Sequence, residues 1–200
     1  MWALPPLDVL ARVPLLPVLI WQGLSIRRNA LILPEASGPR SGVLGAGPDI
    51  KVLILGDSSA AGVGVATQAE ALSGQFTAGL SANFRVSWEL VARTGATTDD
   101  AVSMLGEAKG AEFDIALLAL GVNDAVRLVS VSKWRAKQRA LRQRLRDEFG
   151  VQMLLVTAVP PLSKFPALTP ILKWILGHQA MRLDCALRDD LNTETDAVHL

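Results

Sequence analysis

"KVLILGDSSAAGVGV" runs from Lys51 to Val65. The run Val52 to Leu55 is short, apolar and closed by turn residues, the mark of a buried strand. Gly56, Asp57 and the glycines at 62 and 64 then set a turn at the strand's carboxyl end, with Ser58 at its head. Two readings of that serine follow: an attacking hydroxyl, or a polar residue in a glycine-rich turn.

Beyond this stretch, strand and helix patterns alternate. Thr67 and Glu70 have capping-box spacing, ahead of Leu72, Phe76 and Leu80 at four-residue intervals, which predicts a helix. "FRVSWELVA" alternates Val86, Trp88 and Leu90 with Ser87 and Glu89, so a strand with one solvated face, at the sheet edge, is expected. A second helix is predicted from about Thr98, with Thr97 and Asp100 as its capping pair and Gly110 as its stop. "FDIALLALG" and "VQMLLVTAVPP" are nearly continuous apolar runs, as parallel strands covered on both faces require.

Between those two runs, 130–148 reads as a helix. It carries seven Lys or Arg between Lys133 and Arg146 and no acid among them. Trp134, Leu141 and Leu145 give it an apolar stripe, and the basic residues read as its solvated face. A last helix spans Pro170 to Leu191, and "AVHL" at 197–200 has the pattern of a further strand. The expected fold is a three-layer α/β/α sandwich around a parallel, flavodoxin-like sheet of about five strands.

The 200 residues are half apolar and one-fifth charged, with 20 Lys or Arg against 19 Asp or Glu. That balance gives no field to gather nucleic acid. Cys185 is the single cysteine, so an internal disulfide or a cysteine metal site is excluded. The first 35 residues form an apolar arm interrupted by Asp8, Arg12, Pro14 and Pro17. Its longest unbroken run, Val13 to Trp21, is nine residues, against the roughly 20 that span a bilayer. Arg27 and Arg28 follow that run rather than precede it, which does not fit a secretion signal. The arm is expected to pack on the domain or to make a peripheral membrane contact through Trp2, Trp21 and the arginine pair. The expected location is cytoplasmic, with membrane association as the alternative to the arm packing on the domain. Residues 34–48, rich in Gly, Pro and Ser, read as a linker, placing the domain proper at 49–200.

In an open parallel sheet, functional groups gather beyond the carboxyl ends of the strands. Three ends here carry unusual residues: Gly56-Asp57-Ser58, Arg93-Thr94-Gly95-Ala96-Thr97 and Gly121-Val122-Asn123-Asp124. A crevice so lined suits acyl transfer. Ser58 could attack a carbonyl, and the backbone N–H groups of Ser58 and Gly95 with the Asn123 amide could receive the oxyanion.

On "GDSS", the Gly95 of "RTGATT" and "GVND" about 65 residues after the first block, the chain from Val52 to Pro161 resembles the SGNH, or GDSL, hydrolase family. The resemblance implies Ser58 as nucleophile and Ser58, Gly95 and Asn123 as the oxyanion hole. It implies a carboxylic ester hydrolase acting on a small-molecule ester, with no metal or cofactor. The substrate class stays open among short acyl esters, thioesters, lysophospholipids and acetylated sugars. Asp57, Ser59 and Asp124 read as turn or loop support. A non-catalytic relative that binds acyl groups or sugars is one alternative. A phosphate- or nucleotide-binding loop of flavodoxin type is another, although no lysine follows in the loop.

The family takes its base from an Asp-x-x-His block after the fifth strand. Here His178 falls within a helix and reads as packing or surface. "DAVH" supplies Asp196 and His199 at matching spacing, directly after the last helix, where strand five is expected. The favoured expectation makes "DAVHL" the start of that strand, with the acid and base lying beyond residue 200. The alternative makes Asp196 and His199 the catalytic pair.

Overall fold

Strand β2, Asp49–Gly56, is the centre of the architecture, and its residues Val52 to Leu55 are fully buried. Each such side chain contributes about 1.5–3 kcal/mol relative to remaining in water. The computed structural model describes residues 33–110 and 112–200, with residues 7, 9–12, 14, 15 and 17 of the amino-terminal arm. The other elements are β1 (Ser41–Leu44), α1 (Leu72–Ser81), β3 (Arg85–Ala92), α2 (Thr98–Met104), β4 (Ile115–Ala119), α3 (Val122–Val126), α4 (Val131–Phe149), β5 (Met153–Val156), α5 (Pro170–Leu191) and β6 (Ala197–His199).

The sheet has six strands in the order β1-β3-β2-β4-β5-β6. All pairings are parallel except β1 with β3. Helices α2, α4 and α5 cover one face through Leu53, Leu55, Leu118 and Leu154. On the other face Val52, Ile54, Leu90 and Leu117 pack with Leu72, Phe76 and Leu80 of α1. The chain passes from β2 through α1 to β3 on one side and from β3 through α2 to β4 on the other, so a crevice opens at the carboxyl end of β2 where the strand order reverses.

Several sequence expectations change here. Residues 41–44 are a strand of the sheet rather than part of a linker, so the folded unit takes in residues ahead of Asp49. Gly42 lies opposite Trp88, and a Cβ at 42 would sit 3.1 Å from the indole nitrogen, so glycine makes room for the ring. With β1 in place, β3 is interior to the sheet. Its polar Glu89 is not simply solvated, since its carboxylate accepts from the backbone N–H groups of Lys109 and Gly110.

The first helix begins at Leu72 rather than near Thr67. Gln68 is buried, donates to the Ala36 and Ala61 carbonyls and accepts from Ser73 Oγ. These bonds hold 66–70 against 36–37 and out of the helix. The Thr97/Asp100 capping box forms as expected, but α2 ends at Met104 and passes through a 3₁₀ turn, Leu105–Glu107, before Gly110. "AVH" is strand β6, parallel to β5.

Part of the basic face of α4 is solvated as expected, with Lys133 and Arg139 exposed, but its other side is an ion-pair seam. Arg135 and Arg139 both bond Asp190, Arg142 and Arg146 bond Glu194, and Arg146 also bonds Asp196. Arg142 is fully buried. Burial works to raise the Asp190 and Glu194 pKa values, but the paired guanidiniums outweigh it and hold both carboxyls below their ordinary range. Asp196 is held low chiefly by the Arg146 hydrogen bond.

Trp2, Trp21, Arg27 and Arg28 lie outside the described residues. The described part of the arm is helical, Pro14 and Pro17 included, which their fixed φ permits. Arg12 donates to Gln179 Oε1 of α5 at 2.8 Å. Among the described residues, no helix is long and apolar enough to cross a membrane.

Candidate active site

The turn after β2 is built for a tight exit. A Cβ at Gly56 would meet the Ala60 Cβ at 2.5 Å and the Ala119 carbonyl at 2.7 Å, so glycine is required. Asp57 N–H then donates to the Ala119 carbonyl at 3.1 Å, which ties the turn to the end of β4. Ser58 follows, partly exposed, in a cleft of about 270 Å³ with Val63, Val122, Thr157, Pro160 and Phe165 among its walls.

Asp57 is buried, and its two oxygens divide their work. Oδ1 accepts from the Ser59 N–H and from Ser59 Oγ, both at 2.9 Å, fixing the turn. Oδ2 accepts from Asn123 Nδ2 at 3.1 Å. Burial, opposed by these hydrogen bonds, leaves the Asp57 pKa above its ordinary value. The turn role was legible from sequence; the bond to Asn123, 66 residues away, had no local signal.

Asn123 stands in the first turn of α3, after Gly121 at φ +128. A Cβ on Gly121 would press to 2.7 Å from Val159, so the glycine serves both conformation and packing. The second proton of the Asn123 amide goes to the Ala96 carbonyl at 3.0 Å. Asn123 is thereby held between the first and second sequence blocks. Gly95 is adjacent, at φ +83, and a Cβ there would meet nothing within 4 Å, so its need for glycine is conformational. Among the described residues, the N–H groups of Ser58 and Gly95 donate to no protein acceptor.

A second shell of bonds steadies these loops. Asp124 Oδ2 accepts from the N–H and the hydroxyl of Thr98, each at 3.0 Å. Thr98 Oγ1 in turn accepts from Trp134 Nε1 and Gln138 Nε2. Desolvation raises the Asp124 pKa against these bonds. Glu35 accepts from the N–H and hydroxyl of Thr94, the neighbour of Gly95. Nothing in the sequence pattern marked Glu35.

The histidines lie elsewhere. His178 Nδ1 meets the Trp174 carbonyl within α5 at 2.7 Å. His199 ends β6, and its Nε2 is 2.9 Å from Asp184 Oδ1. Strands β4 and β5 separate β6 from β2, which puts three inter-strand spacings, about 14 Å, between them. Asp196 is engaged by Arg146 instead of His199. Among the described residues no group of three or more His, Cys, Asp or Glu could hold a metal ion.

The model of the GDSL-like lipase/acylhydrolase family matches residues 54–189. The chain belongs to that family. Its fold is similar to the psychrotrophic esterase EstA from Pseudoalteromonas sp., with TM-score 0.53 and 18% identity over 76% of this chain and 78% of that one. It is similar also to a phospholipase A1 from Streptomyces albidoflavus NA297, with TM-score 0.54 and 18% identity over 75% and 78% of the two chains. A lipolytic G-D-S-L family protein from Veillonella parvula DSM 2008 gives TM-score 0.59 at 10% identity over 74% and 76%. No curated protein matches the sequence.

Proposed function

We propose that the protein is a serine ester hydrolase that forms an acyl-enzyme on Ser58. The observation that carries this reading is the bond between Asn123 and Asp57, which holds an amide donor beside the residue next to Ser58. Attack by Ser58 Oγ forms the bond to the acyl carbon, the ester C–O bond breaks and the alcohol departs with the proton the serine gives up. Water then attacks the acyl carbon, the bond to Oγ breaks, the carboxylic acid leaves and a proton from the water returns to Oγ.

The oxyanion of each tetrahedral intermediate is received by the N–H groups of Ser58 and Gly95 and by the Asn123 amide. Both Asn123 protons are already engaged. The oxyanion therefore takes the place of the Asp57 carboxylate as acceptor of one of them, while the Ala96 carbonyl keeps the other and fixes the amide plane.

The cleft volume of about 270 Å³ lies below the roughly 300–1,000 Å³ of sites for drug-sized ligands. With Val63, Val122, Pro160 and Phe165 around it, it suits a short acyl group. Neither Asp196 nor His199 is given the base role, because Asp196 is held by Arg146 rather than by His199 and β6, which carries His199, lies three strand spacings from β2.

The test is acylation by p-nitrophenyl acetate or an organophosphonate, with the modified residue located by peptide mass mapping. Modification at Ser58, lost in Ser58→Ala and unaffected by His199→Ala, is expected. Modification at another residue, or turnover retained in Ser58→Ala, refutes the assignment.

A further inference from the structure

From Val151 to Leu183 the sequence holds no Asp or Glu, and its charges are Lys164, Lys173 and Arg182. This stretch supplies β5, the loop to α5 with its 3₁₀ turn Leu162–Lys164, and the first turns of α5. On its surface Phe165 and Trp174 are each 40% exposed and Met181 is 55% exposed. Trp174, His178 and Met181 follow at i, i+4 and i+7, so they share one side of the helix.

The loop and the helix form one continuous surface. Their close approach is at Gly177, where a Cβ would come within 2.8 Å of the Ser163 Cβ. Beside it runs a groove of about 510 Å³ lined in part by Pro161, Ser163, Lys173, Trp174, His178 and Met181. One acid reaches the groove, Asp184. It is already engaged by Arg188 at 3.5 Å, by His199 and by the Val159 N–H. Phe165 and Pro160 at one end of this surface are also walls of the Ser58 cleft. At the other flank of α5, Arg12 anchors the arm to Gln179, with Leu7 and Leu10 of the arm exposed.

We propose that this face docks on an anionic lipid surface. Trp174 and Phe165 are amphipathic or aromatic groups suited to the headgroup boundary, and Met181 adds flexible apolar contact. Lys164 and Lys173 pair with lipid phosphates, and the lack of free acids removes the repulsion that a surface of mixed charge would feel. The orientation brings the mouth of the Ser58 cleft to the edge of the bilayer. The inference does not depend on the chemistry assigned to Ser58.

The experiment is sedimentation of the full chain with phosphatidylcholine vesicles, with and without phosphatidylglycerol. Binding is expected to the mixed vesicles, to be weakened by salt, and to be much weaker to phosphatidylcholine alone. Removing each lysine's attraction lowers partitioning by about fivefold, so K164E/K173E lowers it by at least about 25-fold. W174S/M181S also weakens it, and both variants keep the thermal midpoint of the parent because the four side chains lie at the surface. Failure to bind, equal binding to the two vesicle types, or unchanged binding of both variants overturns the proposal. So does a dimer in solution that W174S/M181S converts to monomer, which would make this face a contact between two copies.

Discussion

Replacing Asp124 asks whether the asparagine loop is held through a single oxygen atom. Both Thr98 donors, the backbone N–H and the hydroxyl, end on Asp124 Oδ2. The hydroxyl oxygen is already an acceptor for Trp134 and Gln138, so its one proton is directed at Asp124. Asp124→Ala leaves a buried N–H and a buried O–H without their acceptor. Each orphan costs about 1–3 kcal/mol, which gives a loss of about 2–6 kcal/mol. Asparagine can set its amide oxygen where Oδ2 was and keep both bonds. It also removes a carboxyl whose ionisation is opposed by burial. Asp124→Asn should therefore lose only about 1 kcal/mol or less. Urea unfolding near neutral pH, with the slope of the transition checked for constancy, measures both. Equal losses in the two variants, or a loss below about 1 kcal/mol for alanine, would refute the single-oxygen account.

On the proposed mechanism Asn123→Ala removes one oxyanion donor and should lower kcat by about 100-fold or more with a smaller change in KM, read from initial rates on p-nitrophenyl acetate; a change confined to KM would make it a ground-state contact. The Arg146 hydrogen bond holds the Asp196 pKa below the ordinary aspartate value in the folded protein, so its stabilising contribution is present above that ordinary value and is lost as pH falls through the lower folded pKa. Asp196→Asn should accordingly be less stable than the parent near neutral pH, with the denaturant midpoints converging as the pH falls below the ordinary aspartate range; a constant gap would contradict the linkage. Glu194→Ala strands the buried Arg142 and should cost about 2–3 kcal/mol, at or below the usual range for broken buried pairs because Glu194 is partly exposed, whereas R142M/E194L should be within about 1 kcal/mol of the parent by thermal unfolding.

Most of the strands and helices were legible because their signals are local. The apolar runs of β4 and β5, the Thr97/Asp100 capping box and the Pro170 helix start each fit within a few residues of sequence. Strand β1 was hidden by its own glycines. Gly42 is there to admit Trp88, and Gly45 and Gly47 turn the chain into β2 at positive φ, yet in sequence all three look like a linker. One side of the α4 face was misread for a different reason. Its partners Asp190, Glu194 and Asp196 arrive some 50 residues later, and no window on the helix contains them. The site divides in the same way. Asp57, Ser58, Gly95 and Asn123 stand out by residue type at strand ends, while the acceptors that orient Asn123 are a carboxylate and a backbone carbonyl brought in by the fold.

The Glu35 bond to Thr94 bears on where a minimal version of this enzyme family's chain could be cut. The family match opens at residue 54, and a chain begun at Asp49 would retain all three sequence blocks. It would nevertheless lose both bonds from Thr94 to Glu35, the Arg40 bond to the Ala92 carbonyl and the strand that shields β3. The loop carrying Gly95 would then rest on the Arg93 N–H to the Gly56 carbonyl, the Asn123 amide to the Ala96 carbonyl and Arg127 to the Gly95 carbonyl, with its Thr94 side released. Such a truncated chain would keep its three sequence blocks and Ser58 while, on the proposed mechanism, holding a tetrahedral phosphonate adduct less well, an outcome that no motif boundary would anticipate.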